Sequence, residues 1–300
     1  MIKLSQEKYA LAVHYIHHYA RPIDRALFEY HFNSGSSLEV MQQLQFYQNE
    51  DGGVGHGLEP DIRSKFSSPI VSTVALQYAR EVKASWEHPF IQSVMKYFTD
   101  TYYSFETWPL KLSHMNEFPH ADWWKHSEDV TSFQANPGVE IVGYYHAYPQ
   151  AIPEQLFHIF QESVFQHLDN QHKTPEYHEV LCYLRLVEEM PDPGKTMIVE
   201  YLRDSIRDIA TLDHTQWGGY CAKPLSLAPS PNAAMFNALE DVIQKNLDYE
   251  INNQKEDGSW EPFWEWGQYK DEWETRVKQE WKGYLTVQML KTLKNYERIE

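Results

Sequence analysis

The chain has 300 residues, 42% of them hydrophobic and 15% aromatic, enough for a buried core and far richer in rings than a disordered acidic protein. Its 43 Asp and Glu against 26 Lys and Arg leave a formal charge of −17, which repels phosphate backbones and anionic lipid and argues against nucleic acid and polyanionic membranes as partners. Two cysteines, Cys182 and Cys221, stand far apart in no CxxC pair, which excludes a disulfide framework or zinc ribbon and predicts buried free thiols.

Residues Met1 to Glu7 lack the apolar core and small-residue cleavage site of a signal peptide, and no later run reaches the roughly 18 apolar residues of a membrane span. A cytoplasmic protein without a membrane span is expected. Apolar residues at three- and four-residue spacing from Gln6 to Tyr19 predict a first amphipathic helix, and Leu38 to Tyr47 predicts another. The second runs into Gln48-Asn49-Glu50-Asp51-Gly52-Gly53, an Asp-Gly turn, and then into a glycine-rich loop from Gly52 to Arg63.

Ser68-Pro69 predicts the next helix start, with a hydroxyl cap followed by proline at the first helical position. Asn136-Pro137, Thr174-Pro175 and Ser230-Pro231 repeat the device, while His88-Pro89 and Ile152-Pro153 keep the proline without a good cap. Helical runs lie between these starts, and no alternating strand pattern appears, so the fold class is all-α. The segment from Phe105 to Gln134 has no clean period and reads as a long ordered loop, of a length that in a compact domain is often functional. Turn-like segments near Asp51, Trp108, Asn170, Trp217 and Asp257 are separated by 57, 62, 47 and 40 residues, each sufficient for a helix pair with its loops. No linker or charge block divides the chain, so residues 1–300 are expected to form a single domain.

The last of these turns, Tyr249-Glu250-Ile251-Asn252-Asn253-Gln254-Lys255-Glu256-Asp257-Gly258-Ser259-Trp260, resembles the QW repeat of squalene and oxidosqualene cyclases and of protein prenyltransferase β-subunits. Gln48 to Gly53 is a weaker copy, and Gln216-Trp217-Gly218-Gly219 a degenerate third. The resemblance implies an (α/α)6-type toroid of helical hairpins with long loops at one end and a cavity there. The catalytic motifs of those families are missing: there is no Asp-x-Asp-Asp acid run, no DDxxD, Ser259 stands where a prenyltransferase has its zinc cysteine, and the closing helix from Trp281 to Tyr296 has no histidine. Gln254, Asp257 and Trp260 are accordingly expected to be scaffold.

Chemistry is sought in the loops. His56, Glu59 and Asp61 combine a base with two carboxylates and are candidate catalytic residues, with Arg63 beside them as a binding group. The long loop adds Asp122 and His126 as catalytic candidates, with Trp123 and Trp124 to line a substrate site, among further histidines at 114 and 120. Trp264 and Trp266, in an aromatic stretch from Trp260 to Trp273 interleaved with acids, are candidate substrate-binding rings for sugars or isoprenoid cations. No spacing matches a metal motif such as HExxH, so neither a metal nor a cofactor is expected. The expected function is an enzyme with an aromatic, acid-lined cavity acting on a small-molecule substrate, an isoprenoid by the resemblance. A carbohydrate-active hydrolase or lyase and a non-catalytic ligand- or protein-binding toroid are the alternatives.

Overall fold

The computed structural model describes residues 1–170 and 175–300. Among the described residues there is no strand, only isolated bridges, and the chain is all-helical. The helices are α1 (Gln6–Tyr19), α2 (Pro22–Phe32), α3 (Ser37–Gln45), α4 (Pro69–Glu81), α5 (Pro89–Phe105), α6 (Ala135–Ala147), α7 (Glu154–Asp169), α8 (Tyr177–Glu189), α9 (Gly194–Ile209), α10 (Pro224–Leu227), α11 (Phe236–Asn252), α12 (Lys270–Glu272) and α13 (Lys278–Asn295). A π turn, Trp273–Val277, leads into α13. No helix is long and apolar enough to cross a membrane among the described residues.

Proline and capping chemistry sets many of the starts. Ser68 accepts from the Val71 N–H at 3.3 Å ahead of Pro69, as the pattern predicts. His88 caps as well, its Nδ1 accepting from Phe90 N at 3.2 Å, so Pro89 does have a side-chain cap. Pro22 and Pro224 are two further helix starts of this kind. Ser230-Pro231 is not one: Ser230 closes a local turn by accepting from Ala233 N at 3.1 Å, and α11 begins only at Phe236. At Asn136 the backbone leaves helical geometry (φ −100°, ψ 113°) before α6 continues through Pro137. Thr174 of the Thr174-Pro175 pair lies outside the described residues, and α8 starts at Tyr177 with Glu176 accepting from His178 N at 2.8 Å.

The described residues form two compact units. Unit 1 comprises residues 1–36, 199–266 and 270–300, and unit 2 comprises residues 37–198 and 267–269. In unit 2, consecutive helices pack as neighbours from α3 through α7, while α6 also packs on α4 and on α8. Within unit 1, α2 and α13 pack together, α1 packs on both, and α10 packs on α11. The two ends of the chain pair there: Leu4 N donates to Arg298 O at 2.7 Å and Glu300 N donates to Leu4 O at 3.1 Å.

Each unit contains one Gln-Asp-Gly turn, and the two are the same device in the same register. In unit 2, Gln48 Nε2 donates to Gly52 O at 2.9 Å and to Phe90 O of α5 at 3.4 Å. In unit 1, Gln254 Nε2 donates to Gly258 O at 2.9 Å and to Lys8 O of α1 at 2.9 Å. Asp51 and Asp257 each accept the backbone N–H two residues on, at 2.9 and 3.0 Å. The next residue is held by a hydroxyl of the following long helix: Val54 N donates to Ser72 Oγ of α4 and Trp260 N to Thr286 Oγ1 of α13, both at 3.0 Å.

Gly52 and Gly258 have φ of +85° and +88°, and a Cβ on either would run into the backbone of Ser93 in α5 or Leu11 in α1. Those are the residues three beyond the carbonyls that the glutamines reach, so both turns dock on their neighbouring helix in one geometry. Gln216-Trp217-Gly218-Gly219 does not reproduce it. A Cβ on Gly218 or Gly219 would meet nothing nearer than 3.8 Å, and Trp217 instead bonds Thr211 O through Nε1 at 2.7 Å.

Trp260 is 5% exposed and donates from Nε1 to Glu250 O at 2.9 Å. Gln254→Ala and Gln48→Ala, each removing two side-chain hydrogen bonds, are expected to destabilise the protein by about 1–3 kcal/mol in denaturant unfolding. Trp260→Ala should cost about 3–5 kcal/mol, and Gly258→Ala should destabilise because it combines a left-handed backbone with a backbone clash. Unchanged midpoints would show that these turns are not scaffold.

Asp257 also pairs with Lys282 of α13 at 2.5 Å. Burial pushes its carboxyl up, but the hydrogen bonds from Lys282 and Ser259 outweigh it, and its pKa is lowered. A carboxyl lowered on folding contributes stability above its unfolded pKa, near 3.9, that is lost as pH falls through the folded value. Asp257→Asn should therefore lower the melting temperature at neutral pH, with the difference from wild type shrinking below about pH 4. A constant difference across that range would overturn the assignment.

Candidate active site

In unit 2 the chain leaves the Gln48 turn into a loop folded back on itself. His56 N donates to Ser64 O at 2.9 Å, Leu58 N to Gly55 O at 3.2 Å and Ile62 N to Glu59 O at 3.0 Å. Gly57 has φ +75°, and the Arg63 guanidinium fills the space a side chain there would need, its Cζ 2.6 Å from where a Cβ would stand. The loop is thus closed around Arg63, which also donates from Nη1 to Pro60 O at 3.4 Å.

The second predicted loop meets the first. Arg63 N donates to Pro119 O and Ala121 N donates to Asp61 O, both at 3.0 Å, bracketing an antiparallel Ile62–His120 bridge. Side chains alternate along extended backbone, so Ile62 and His120 share one face of this pairing while Asp61 and Arg63 share the other. Asp61 and His120 are both buried, at 3% and 4% exposure. Ser64 Oγ lies 3.0 Å from His114 Nδ1, and Phe66 stacks edgewise on His114 and Phe118. Burial lowers the His114 pKa, so this ring is predominantly neutral near pH 7.

Residues 267–269 cover the strap formed by residues 118–124. Gln268 Nε2 donates to His120 O at 3.2 Å, the Tyr269 ring lies 5.7 Å from the His120 ring, and the Asp122 carboxylate rests against Gly267. Trp123 is 44% exposed, whereas Trp124 is half-buried with Nε1 enclosed.

The sequence-predicted residues therefore separate. Glu59, Asp61 and Arg63 on one loop and Asp122, Trp123 and Trp124 on the other belong to the paired segments. His56 is exposed, with Nε2 2.9 Å from Asn49 Oδ1, and ties the loop back to the Gln48 turn. His126 bonds the outward Asp129 at 3.0 Å and exchanges backbone hydrogen bonds with the Asn116 amide.

Trp264 and Trp266 belong to unit 1. Trp264 packs edgewise between Phe263 and Trp281, while Trp266 is fully buried beside Trp273, 6.0 Å between centroids. Trp108, at the head of the long loop, is a core residue: 1% exposed, it donates to Phe98 O at 2.8 Å and packs on Phe160. Among the described residues, no group of three or more His, Cys, Asp and Glu could hold a metal ion.

A second polar cluster in unit 2 went unnoticed in the sequence. Glu140 of α6 is 1% exposed and accepts from Gln77 Nε2 of α4 at 2.8 Å, from Tyr144 OH at 2.5 Å and from Arg185 Nη1 of α8 at 2.8 Å. The Cys182 thiol lies 3.8 Å from Oε2, the same Glu140 oxygen that accepts from Arg185. Burial first, then the Glu140 charge, pushes both the Tyr144 hydroxyl and the Cys182 thiol well above their usual ranges, so both keep their protons. Cys221 is half-buried rather than buried, and desolvation raises its pKa, which leaves neither thiol activated. A lone glutamate inside Gly138-Val139-Glu140-Ile141-Val142 was the available signal, because a charge in an apolar helix run must be paired.

Comparison with family models, with curated proteins and with solved structures found no match to this chain.

Glu140→Ala strands Gln77, Tyr144 and Arg185 and is expected to cost about 3 kcal/mol, the low end for a broken buried pair because Arg185 keeps access to water. Glu140→Gln, which retains the shape and some of the hydrogen bonds, should cost less. No loss for Glu140→Gln in chemical denaturation would mean the charge is irrelevant to the cluster.

Proposed function

We propose that this chain is an α/α-toroid enzyme that uses the paired loops of unit 2 for acid–base chemistry on a carbohydrate-type substrate, cleaving it by hydrolysis or elimination. The toroid reading is supported by the packing of consecutive helices as neighbours in unit 2 and by the two turns of identical register. In unit 1 the helix that receives the turn is α1, the first of the chain, while in unit 2 it is α5. The α11 turn thus docks on α1 as the α3 turn docks on α5.

The observation that carries the functional reading is the backbone pairing of residues 61–63 with 119–121. It ties a buried carboxyl, Asp61, and the half-buried Glu59 to a second strap that carries the exposed Asp122 and Trp123. Glycosidic cleavage needs a pair of carboxyl groups, one protonated and one ionised, and burial is the ordinary means of separating their roles. An exposed indole, Trp123, on the paired strap suits the apolar face of a sugar, with hydroxyls answered by the polar loop.

An isoprenoid substrate retains one specific support, the likeness of the Gln-Asp-Gly turns to QW repeats. The glutamine amide nitrogens of those turns are engaged in holding helices, however, and Ser259 bonds Asp257 at 2.6 Å within its own turn. The likeness therefore speaks to architecture and leaves the chemistry to the loops.

A thermal-shift panel of oligosaccharides, squalene and prenyl diphosphates tests the reading. Stabilisation by an oligosaccharide alone is the expected result, amounting to about 2.7 kcal/mol at a hundredfold excess over the dissociation constant. With the cleaved sugar in hand, Asp61→Asn should reduce turnover by about 10²–10⁴-fold. Stabilisation by squalene or prenyl diphosphates alone would replace this reading with the isoprenoid one.

A further inference from the structure

Two polar atoms of the 118–124 strap are enclosed without a hydrogen-bond partner from the protein: His120 Nε2 and Trp124 Nε1. The imidazole is 96% buried, being 4% exposed, and its Nδ1 lies 2.7 Å from the Phe118 carbonyl oxygen. A carbonyl only accepts, so Nδ1 carries a proton, and in the singly protonated tautomer this geometry selects, Nε2 presents a lone pair. The indole Nε1–H of Trp124 is a donor and nothing else. Native interiors pair nearly all such groups with protein, water or ligand, so a buried acceptor and a buried donor four residues apart on one strap call for an explanation.

We propose that His120 Nε2 is the hydrogen-bond acceptor for a hydroxyl of the bound ligand, seated beneath residues 267–269, with Trp124 Nε1 a donor to the same ligand. A hydroxyl is the group that answers both: its O–H donates to the imidazole lone pair, and an oxygen accepts from the indole. A carboxylate or phosphate would offer His120 Nε2 no proton, and the nearby Asp122 carboxylate opposes a second anion.

Tyr269 sits 5.7 Å from His120 with φ +49°, Gln268 Nε2 donates to the His120 carbonyl, and Gly267 leaves room for the Asp122 carboxylate. Turning residues 267–269 away would open the His120 face, which the Ile62 pairing keeps apart from the Asp61 face. His120 therefore orients a hydroxyl and is distinct from the carboxyls assigned to proton transfer. The inference rests on the carbohydrate reading for the kind of hydroxyl, but not for the existence of the site.

The test uses the full-length protein labelled with ¹⁵N-histidine, with cellobiose, maltose and xylobiose as sugar probes and farnesol as an isoprenoid alcohol. The expected result is a His120 ring protonated on Nδ1 whose Nε2 resonance moves when a stabilising sugar is added. His120→Gln and Trp124→Phe should each weaken that sugar by roughly tenfold while leaving the melting temperature of the free protein within a degree or two of wild type.

Should either variant fail to fold, the wild-type resonance still decides. A ring protonated on Nε2, or a sugar that binds while His120 stays unchanged, overturns the inference and spares the carbohydrate reading. A response to farnesol with none to the sugars supports the hydroxyl site and removes the carbohydrate reading. No response to any probe means a structural histidine bonded to water, and overturns the inference.

Discussion

One glutamine amide reaching across an Asp-Gly turn to the backbone of another helix is the constraint on which each unit depends. The end of a helix leaves carbonyls unsatisfied, and a turn buried against another helix has no water to supply the missing donors. Gln48 and Gln254 meet this by giving one N–H to their own turn and the other to the first turn of a neighbouring helix. Three helices are thereby fixed at once: the one that ends, the one that receives the amide, and the one whose Ser72 or Thr286 hydroxyl accepts the next backbone N–H. Glycine follows aspartate because the backbone approaches its neighbour too closely for any side chain.

This device also explains where the loops stand. In both units the segment after the turn must travel from the turn to the start of the next long helix, α4 or α13. Residues 55–67 make that journey in unit 2 as a glycine-rich polar loop closed around Arg63. In unit 1, residues 261–266 and 270–277 of the corresponding segment are an aromatic stretch in which Trp266 and Trp273 are buried. The segments that follow two turns of the same hydrogen-bond pattern thus carry different chemistry. The polar segment, in which backbone pairing brings a second loop alongside, is the one that can present ionisable groups to a ligand. In the aromatic segment, Trp266 and Trp273 spend their surface on packing, as buried rings at this density do.

Buried charge in unit 2 follows the same logic of satisfaction. Glu140 has partners from α4, α6 and α8, so it joins those helices through directed bonds as well as apolar contact. His120 and Trp124 stand apart from this rule, since their enclosed polar atoms have no protein partner. Glu140, Asp51 and Asp257 are each satisfied by several donors, whereas the strap carries an enclosed acceptor and an enclosed donor four residues apart.

The sequence by itself determined the helical class, most proline-marked starts and the identity of the two turns. These are local properties: apolar spacing, the fixed φ of proline and the special backbone of glycine act within a few residues. It also marked residues 56–63 and 105–134 as loops with chemistry to offer, because glycine content and lost periodicity are equally local. Only the tertiary structure decided which members of those loops meet. Pairing of residue 62 with residue 120 depends on backbone bonds between segments 58 residues apart in sequence, which no pattern announces. That pairing set Asp61 apart from His120, left His56 and His126 to neighbours of their own, and enclosed Trp124. Burial of Trp266, pairing of Glu140 and the unmet nitrogen of His120 have the same origin: each is a property of the space around a side chain, which exists only once distant helices have packed.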